Sequence, residues 1–141
     1  IKRKLYRWSE FIKPSLKDRA VMLALEGPLG AGKTTLTKAI AREMGIKDEI
    51  LSPTFILNTQ YSVINTQLDQ IDAWRVEDFE EIERLGLAEM IKNKHLIVIE
   101  WADKFRSQLS VISNQCSVIW IKIEYGKEKN ERRIRYEDIG N

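Results

Sequence analysis

Gly27-Pro28-Leu29-Gly30-Ala31-Gly32-Lys33-Thr34 sets glycines, a lysine and a hydroxyl at the G-x-x-x-x-G-K-T spacing of a phosphate-binding loop. An apolar run (Val21, Met22, Leu23, Ala24, Leu25) precedes it, and a helix-forming stretch from Thr35 to Met44 follows. That is the strand–loop–helix setting the motif requires. Glycines let the backbone wrap closely around a polyphosphate, so that several N–H groups face one anion, and the helix N-terminus adds its dipole. Lys33, expected on a solvent-facing loop, would reach the β- and γ-phosphates, and the Thr34 hydroxyl would sit on a magnesium ion. The motif predicts a nucleoside triphosphate site.

Such a loop needs a carboxylate for the metal, at the C-terminal end of a neighbouring buried strand. Leu96-Ile97-Val98-Ile99-Glu100 meets this requirement, although it ends in Glu where Asp is more usual. Glu100 can hold the metal through a water, or orient the attacking water as a base. The competing reading is a surface carboxylate at a strand end. Asp72, closing a strand after Gln67, is the second candidate, and Asp69 competes with it on position.

Other conspicuous side chains have simpler readings. Trp74 and Trp101 read as packing residues, as do Trp8 and Trp120. His95 is the only histidine and has no ligand companions, which argues against a metal there. Cys116 is the single cysteine, so no internal disulfide forms, and without a neighbouring base it reads as an inert thiol. Arg75 can pair with Asp72 or Glu77, or touch phosphate.

The elements that must carry these groups follow from periodicity. Leu5, Trp8, Phe11 and Ile12 recur at helical spacing, in a helix expected to end before Pro14. Leu36, Ile40 and Met44 form the core stripe of the helix after the loop, with Gly45 as its stop. Thr54 to Tyr61 and Gln67 to Ile71 read as strands of a hairpin turning around Asn65. Glu77 to Leu85 reads as a helix closed by Gly86. His95 to Glu100 reads as a parallel strand buried on both faces. Val118 to Tyr125 alternates, with Arg132 to Tyr136 hairpinned onto it and Gly126 in the turn. The pattern predicts a three-layer, P-loop NTPase-like α/β fold, a mixed sheet flanked by helices.

With 141 residues and 43 % hydrophobic content, residues 1–141 are expected to form a single domain. No apolar run approaches the roughly 20 residues that span a bilayer, and the basic start from Ile1 to Arg7 does not read as a signal peptide. With the lone cysteine, this points to the cytoplasm. A net charge of +2 argues little for nucleic acid. Basic residues do gather at both ends: Lys2, Arg3, Lys4 and Arg7, then Arg132, Arg133 and Arg135.

Four segments in order carry a resemblance: Leu29 to Thr35, Ser52-Pro53-Thr54-Phe55, Asp72-Ala73-Trp74-Arg75 and Ile99-Glu100-Trp101. From Leu25 to Trp101, and more weakly through Val118 to Tyr125, the chain resembles the tRNA threonylcarbamoyladenosine biosynthesis ATPases, the TsaE family. The resemblance implies that Lys33 and the amides of Leu29, Gly30, Ala31, Gly32, Thr34 and Thr35 hold the phosphates of ATP. It implies that Thr34 and Glu100 serve Mg2+ and that Asp72 is an essential acid near the γ-phosphate. Ser52, Thr54 and Phe55 fall in a switch-like segment, with Thr54 facing the γ-phosphate as part of the nucleotide-binding set, and Trp101 in a Glu-Trp pair needed for activity. Three positions depart from the pattern: Gln70 replaces a His, Trp74 a Tyr and Ala102 a Pro. The N-terminal segment, which helps cover adenine in the family, shows no family pattern.

The implied activity is slow magnesium-dependent ATP hydrolysis, stimulated by a two-protein threonylcarbamoyl transferase of the TsaD and TsaB type. Action on tRNA is then indirect. The absence of an Asn-Lys-x-Asp guanine box favours ATP. Two alternatives stand beside it. A small P-loop kinase would draw lid arginines from Arg132, Arg133 and Arg135, and an ATP-gated binding module would not hydrolyse.

Overall fold

Val21–Glu26 (β1) and Leu96–Glu100 (β4) are apolar up to a terminal glutamate because both faces of each strand are covered. A computed structural model of the chain describes residues 10, 12–28, 30–46, 58–63 and 66–139. Around β1 and β4 stand Asn58–Val63 (β2), Thr66–Asp72 (β3), Ser117–Tyr125 (β5) and Arg132–Ile139 (β6). The six-stranded sheet has the order β2-β3-β4-β1-β5-β6. Strands β3, β4, β1 and β5 are parallel, while β2 and β6 lie antiparallel at the two edges. The fold is α/β with a mixed sheet.

Helices cover both faces. On one side, Leu23, Leu25, Val98 and Ile121 pack with Ile12 of a helix at 12–18 (α1) and with Leu36 and Ile40 of Lys33–Glu43 (α2). On the other, Met22, Ala24, Ile97 and Ile99 pack with Phe79 and Ile82 of Phe79–Glu83 (α3), Met90 of Leu87–Lys92 (α4) and Leu109 of Arg106–Ile112 (α5). A fully buried Leu or Ile contributes about 1.5–3 kcal/mol, so these two clusters dominate the stability.

The parallel strands bring their C-terminal ends to one edge. Leu25 pairs with Glu100, and Glu100 with Asp72, so the end of the strand that leads into the loop and both candidate carboxylates lie in one row across three strands. Leu36, Ile40 and Met44 are buried as their spacing predicts.

Several boundaries differ from expectation. Helix α1 runs through Pro14 instead of ending before it. A proline removes one backbone donor, and the fully buried Ile12 holds the segment on the sheet regardless. Helix α3 starts only at Phe79, because Asp78 caps it in a reciprocal box with Glu81. Gly86, at φ 97°, starts a further helix as well as ending the turn after α3. Strand β6 continues past Tyr136 to Ile139, paired there with Val118. Leu5, Trp8 and Phe11 lie outside the described residues. Among the described residues no helix is long and apolar enough to cross a membrane.

Candidate active site

Backbone crowding explains the first glycine of the loop. A Cβ on Gly27 would lie 2.6 Å from the carbonyl oxygen of Ile123 on β5. Gly32 takes φ 108° and ψ 24°, a left-handed conformation that costs a side-chain-bearing residue energy, and this turn opens α2. The free amides of an 11-residue helix therefore begin where the loop ends. Leu29 lies outside the described residues.

Lys33, the first residue of α2, is not on a solvent-facing loop: it is only 5 % exposed. Its Nζ donates to the carbonyls of Gly27 (2.6 Å) and Pro28 (2.9 Å) and stands 3.7 Å over the Trp101 ring. A buried ammonium must be hydrogen-bonded, and the loop's own carbonyls with an indole face satisfy it. Burial holds its pKa below the usual lysine value, against the opposing pull of Glu100, Asp103 and Asp72.

Glu100 is buried, not a surface carboxylate at a strand end. The Thr34 hydroxyl donates to its Oε1 at 3.1 Å, and Gln70 Nε2 donates to its Oε2 at 3.1 Å. Burial raises the Glu100 pKa, and Asp72 adds to this, while the bonds from Gln70 and Thr34 and the charge of Lys33 oppose it. Asp72 is the register partner of Glu100 on the adjacent strand. Its Oδ1 accepts the Trp74 N–H at 2.9 Å, which folds the chain back just after β3. Asp69 separates from Asp72 by alternation, since it points to the opposite face of the sheet. There it is fully buried and accepts from His95 Nδ1 (2.6 Å) and Gln60 Nε2 (2.7 Å). Asp69 and His95 are thus a structural pair.

A hydroxyl and carboxylate oxygens are the donors Mg2+ takes, and it binds through one or two carboxylates plus phosphates rather than a protein cage. Among the described residues no cluster of three or more His, Cys, Asp or Glu could form such a cage. The donor set of Thr34 and Glu100, with Asp72 alongside, fits magnesium held jointly with a phosphate.

Trp101 adopts φ 61° and ψ 39°, left-handed without being glycine. This turn directly after Glu100 sends the indole back over Lys33 and to 4.4 Å from the Trp74 ring. Trp74 is 50 % exposed, so its reading as a packing residue is corrected: the loop after β3 leaves β3 before any layer covers it. Trp120 does pack, 3 % exposed, with Nε1 donating to Glu26 at 2.8 Å. Lys104 Nζ donates to the carbonyls of Ala73, Trp74 and Val76, binding the loop that carries Trp74 to the 3-10 turn Ala102–Phe105 that follows Trp101. Arg75 is exposed and makes no ion pair among the described residues. Cys116 is buried, and burial pushes its thiol up to about 11 against the pull of Arg19.

Beyond the loop lies a cavity of about 270 Å³, lined by Ala31, Thr35, Ala39, Ile123, Arg132 and Ile134 among others. Arg132 Nε donates to the Ala31 carbonyl at 3.2 Å, its guanidinium stacks on Tyr125, and its Nη1 donates to the carbonyls of Lys129 and Glu131. Sequence reasoning assigned no role at the loop to Ile123, Tyr125 or Ile134. The register of the β5–β6 hairpin against β1 was the only available signal. Ser52, Thr54 and Phe55 lie outside the described residues.

The family model for the threonylcarbamoyl adenosine biosynthesis protein TsaE matches residues 2–134. The tRNA threonylcarbamoyladenosine biosynthesis protein TsaE of Bacillus subtilis is 38 % identical over 120 residues, covering 85 % of this chain and 71 % of that protein. Its Aquifex aeolicus counterpart is 33 % identical over 132 residues, covering 92 % and 86 %. The Haemophilus influenzae protein of the same name is 32 % identical over 98 residues, 70 % of this chain but only 62 % of that relative's length. In fold, the crystal structure of Bacillus subtilis YdiB superposes with a TM-score of 0.66 at 24 % identity, covering 99 % of this chain and 82 % of that one. The match of the family model along nearly the whole chain, with relatives above 30 % identity, places this protein in the TsaE family of threonylcarbamoyl adenosine biosynthesis proteins.

Proposed function

We propose that the chain is a magnesium-dependent ATPase that serves threonylcarbamoyladenosine modification of tRNA by acting on a two-protein transferase of the TsaD and TsaB type. One observation carries the reading. The Thr34 hydroxyl at the helix end of a phosphate loop lies 3.1 Å from a buried strand-end carboxylate, Glu100, with Asp72 in register beside it. In this reading the loop amides and the N-terminus of α2 bind the phosphates, and Lys33 swings from the Gly27 and Pro28 carbonyls to a phosphate oxygen. Thr34 and Glu100 hold Mg2+, which when bound offsets charge on the phosphate oxygens. Asp72 faces the same edge and orients a water. The neighbouring cavity, about 270 Å³ and partly lined by Ala39, Ile123 and Ile134, is roomy enough for a nucleobase and in this reading takes the base of ATP.

Arg132 is tied to backbone carbonyls beside the loop, and Arg133 and Arg135 alternate to the other face of β6. This favours the ATPase over a kinase, which needs a mobile arginine-bearing lid. Few groups among the described residues surround the site to stabilise a transferring phosphoryl, so in this reading hydrolysis by the domain alone is slow, and a partner supplies the remainder. Phosphate release from ATP without any acceptor, measured with and without the transferase pair, tests this. Stimulation by the pair supports the proposal. Equal rates with and without the pair, together with phosphorylation of a small acceptor, would replace it with the kinase.

A further inference from the structure

Gln70 is fully buried in β3, on the side of the sheet that faces α2, two residues before Asp72. Buried glutamines are kept where both ends of the amide are bonded. Here only one is. Nε2 donates to Glu100 Oε2 at 3.1 Å, while Oε1, equally buried, has no hydrogen-bond partner among the described residues. A carboxylate only accepts, so the amide must turn its nitrogen to Glu100 and leave its oxygen unsatisfied. Such an arrangement weakens the fold at that point, and a leucine of similar size would fit a strand core more cheaply. The side chain stands where its one bond completes the clamp on Glu100: Thr34 holds Oε1 and Gln70 holds Oε2.

We infer that Gln70 is a positioning residue for magnesium, fixing the rotation of the Glu100 carboxylate so that it shares the ion with Thr34. The inference rests on the nucleotide reading above. Gln70 touches neither metal nor phosphate and acts through Glu100. Residues that orient metal-ligating carboxylates in this way typically change metal affinity or activity by about 10–100-fold when removed.

Two variants, Gln70→Leu and Gln70→Met, keep the volume and remove the amide. Nucleotide binding is followed by the fluorescence change of Trp101 and Trp74 in EDTA and then across a Mg2+ titration, with phosphate release read in parallel. The expected result is wild-type ATP affinity in EDTA and a Mg2+ concentration for half-maximal binding raised about tenfold or more. KM for ATP at saturating Mg2+ stays nearly constant while kcat falls. Unchanged Mg2+ dependence in a folded variant overturns the inference. So does equal loss of binding in EDTA, or loss of the fold in both variants, since either makes Gln70 a structural residue. Failure of the wild-type chain to bind ATP at all would instead defeat the nucleotide reading.

Discussion

Glu100 carries opposing demands. Its burial disfavours the charge, yet its position beside Thr34 serves a cation only when charged. Because its folded-state pKa is raised above the ordinary 4.5, its contribution to stability is fully present below that value and lost as pH rises through the folded pKa. Glu100→Gln should remove this dependence and raise the melting temperature of the nucleotide-free protein at pH 7 by about 2–4 °C. Thermal unfolding between pH 4 and 8 checks both the sign and the window, and a lower melting temperature at pH 7 would contradict it. The same substitution should reduce turnover far more than ATP affinity, as expected of a group that holds metal and water. Trp101→Ala removes the ring under the Lys33 ammonium and the partner of Trp74. It should weaken stimulation by the transferase pair more than it weakens ATP binding, read by phosphate release against a binding titration.

The loop depends on β5 as much as on its own glycines. Gly27→Ala would press a methyl against the Ile123 carbonyl at 2.6 Å, a clash with backbone that no rotamer change relieves. Overpacking of this kind costs about 1–3 kcal/mol, so chemical denaturation should show a lower midpoint, together with weaker nucleotide binding. The phosphate loop, its helix and strands β1, β4 and β5 were legible because each repeats one strong signal over five or more residues. Helices α4 and α5 were not. In α4 only Leu87 and Met90 are buried, with Ile91 partly so, and α5 buries Leu109 while leaving Val111 66 % exposed, too few positions to show a period. Asp69 and Asp72 could not be told apart by composition. Their separation is one of sheet faces, and it becomes visible once the register with β4 is known. The inward fold of Lys33 was hidden for a similar reason, since it depends on the left-handed backbone of Trp101, 68 residues further along the chain.

Taken as a molecule, the protein gathers one row of groups at the C-terminal edge of a parallel sheet. Loop, Thr34, Glu100 and Asp72 meet there, with an aromatic pair at the rim and a cavity on the β5–β6 side. Among the described residues Lys33 is the one cation inside this row, and a charge-assisted bond to phosphate is worth about 1.5–3 kcal/mol, or roughly 10–100-fold in affinity. Its removal costs the fold little, because the two carbonyls it leaves belong to the exposed Pro28 and the half-buried Gly27, where water can replace it. Titration calorimetry of ATP with Mg2+ into the wild-type chain and into Lys33→Ala is therefore the most direct test. The account predicts saturable binding to the wild type and an affinity lower by that factor in a variant that melts at nearly the same temperature. Absence of binding to the wild type, or equal affinity in the two, would contradict it.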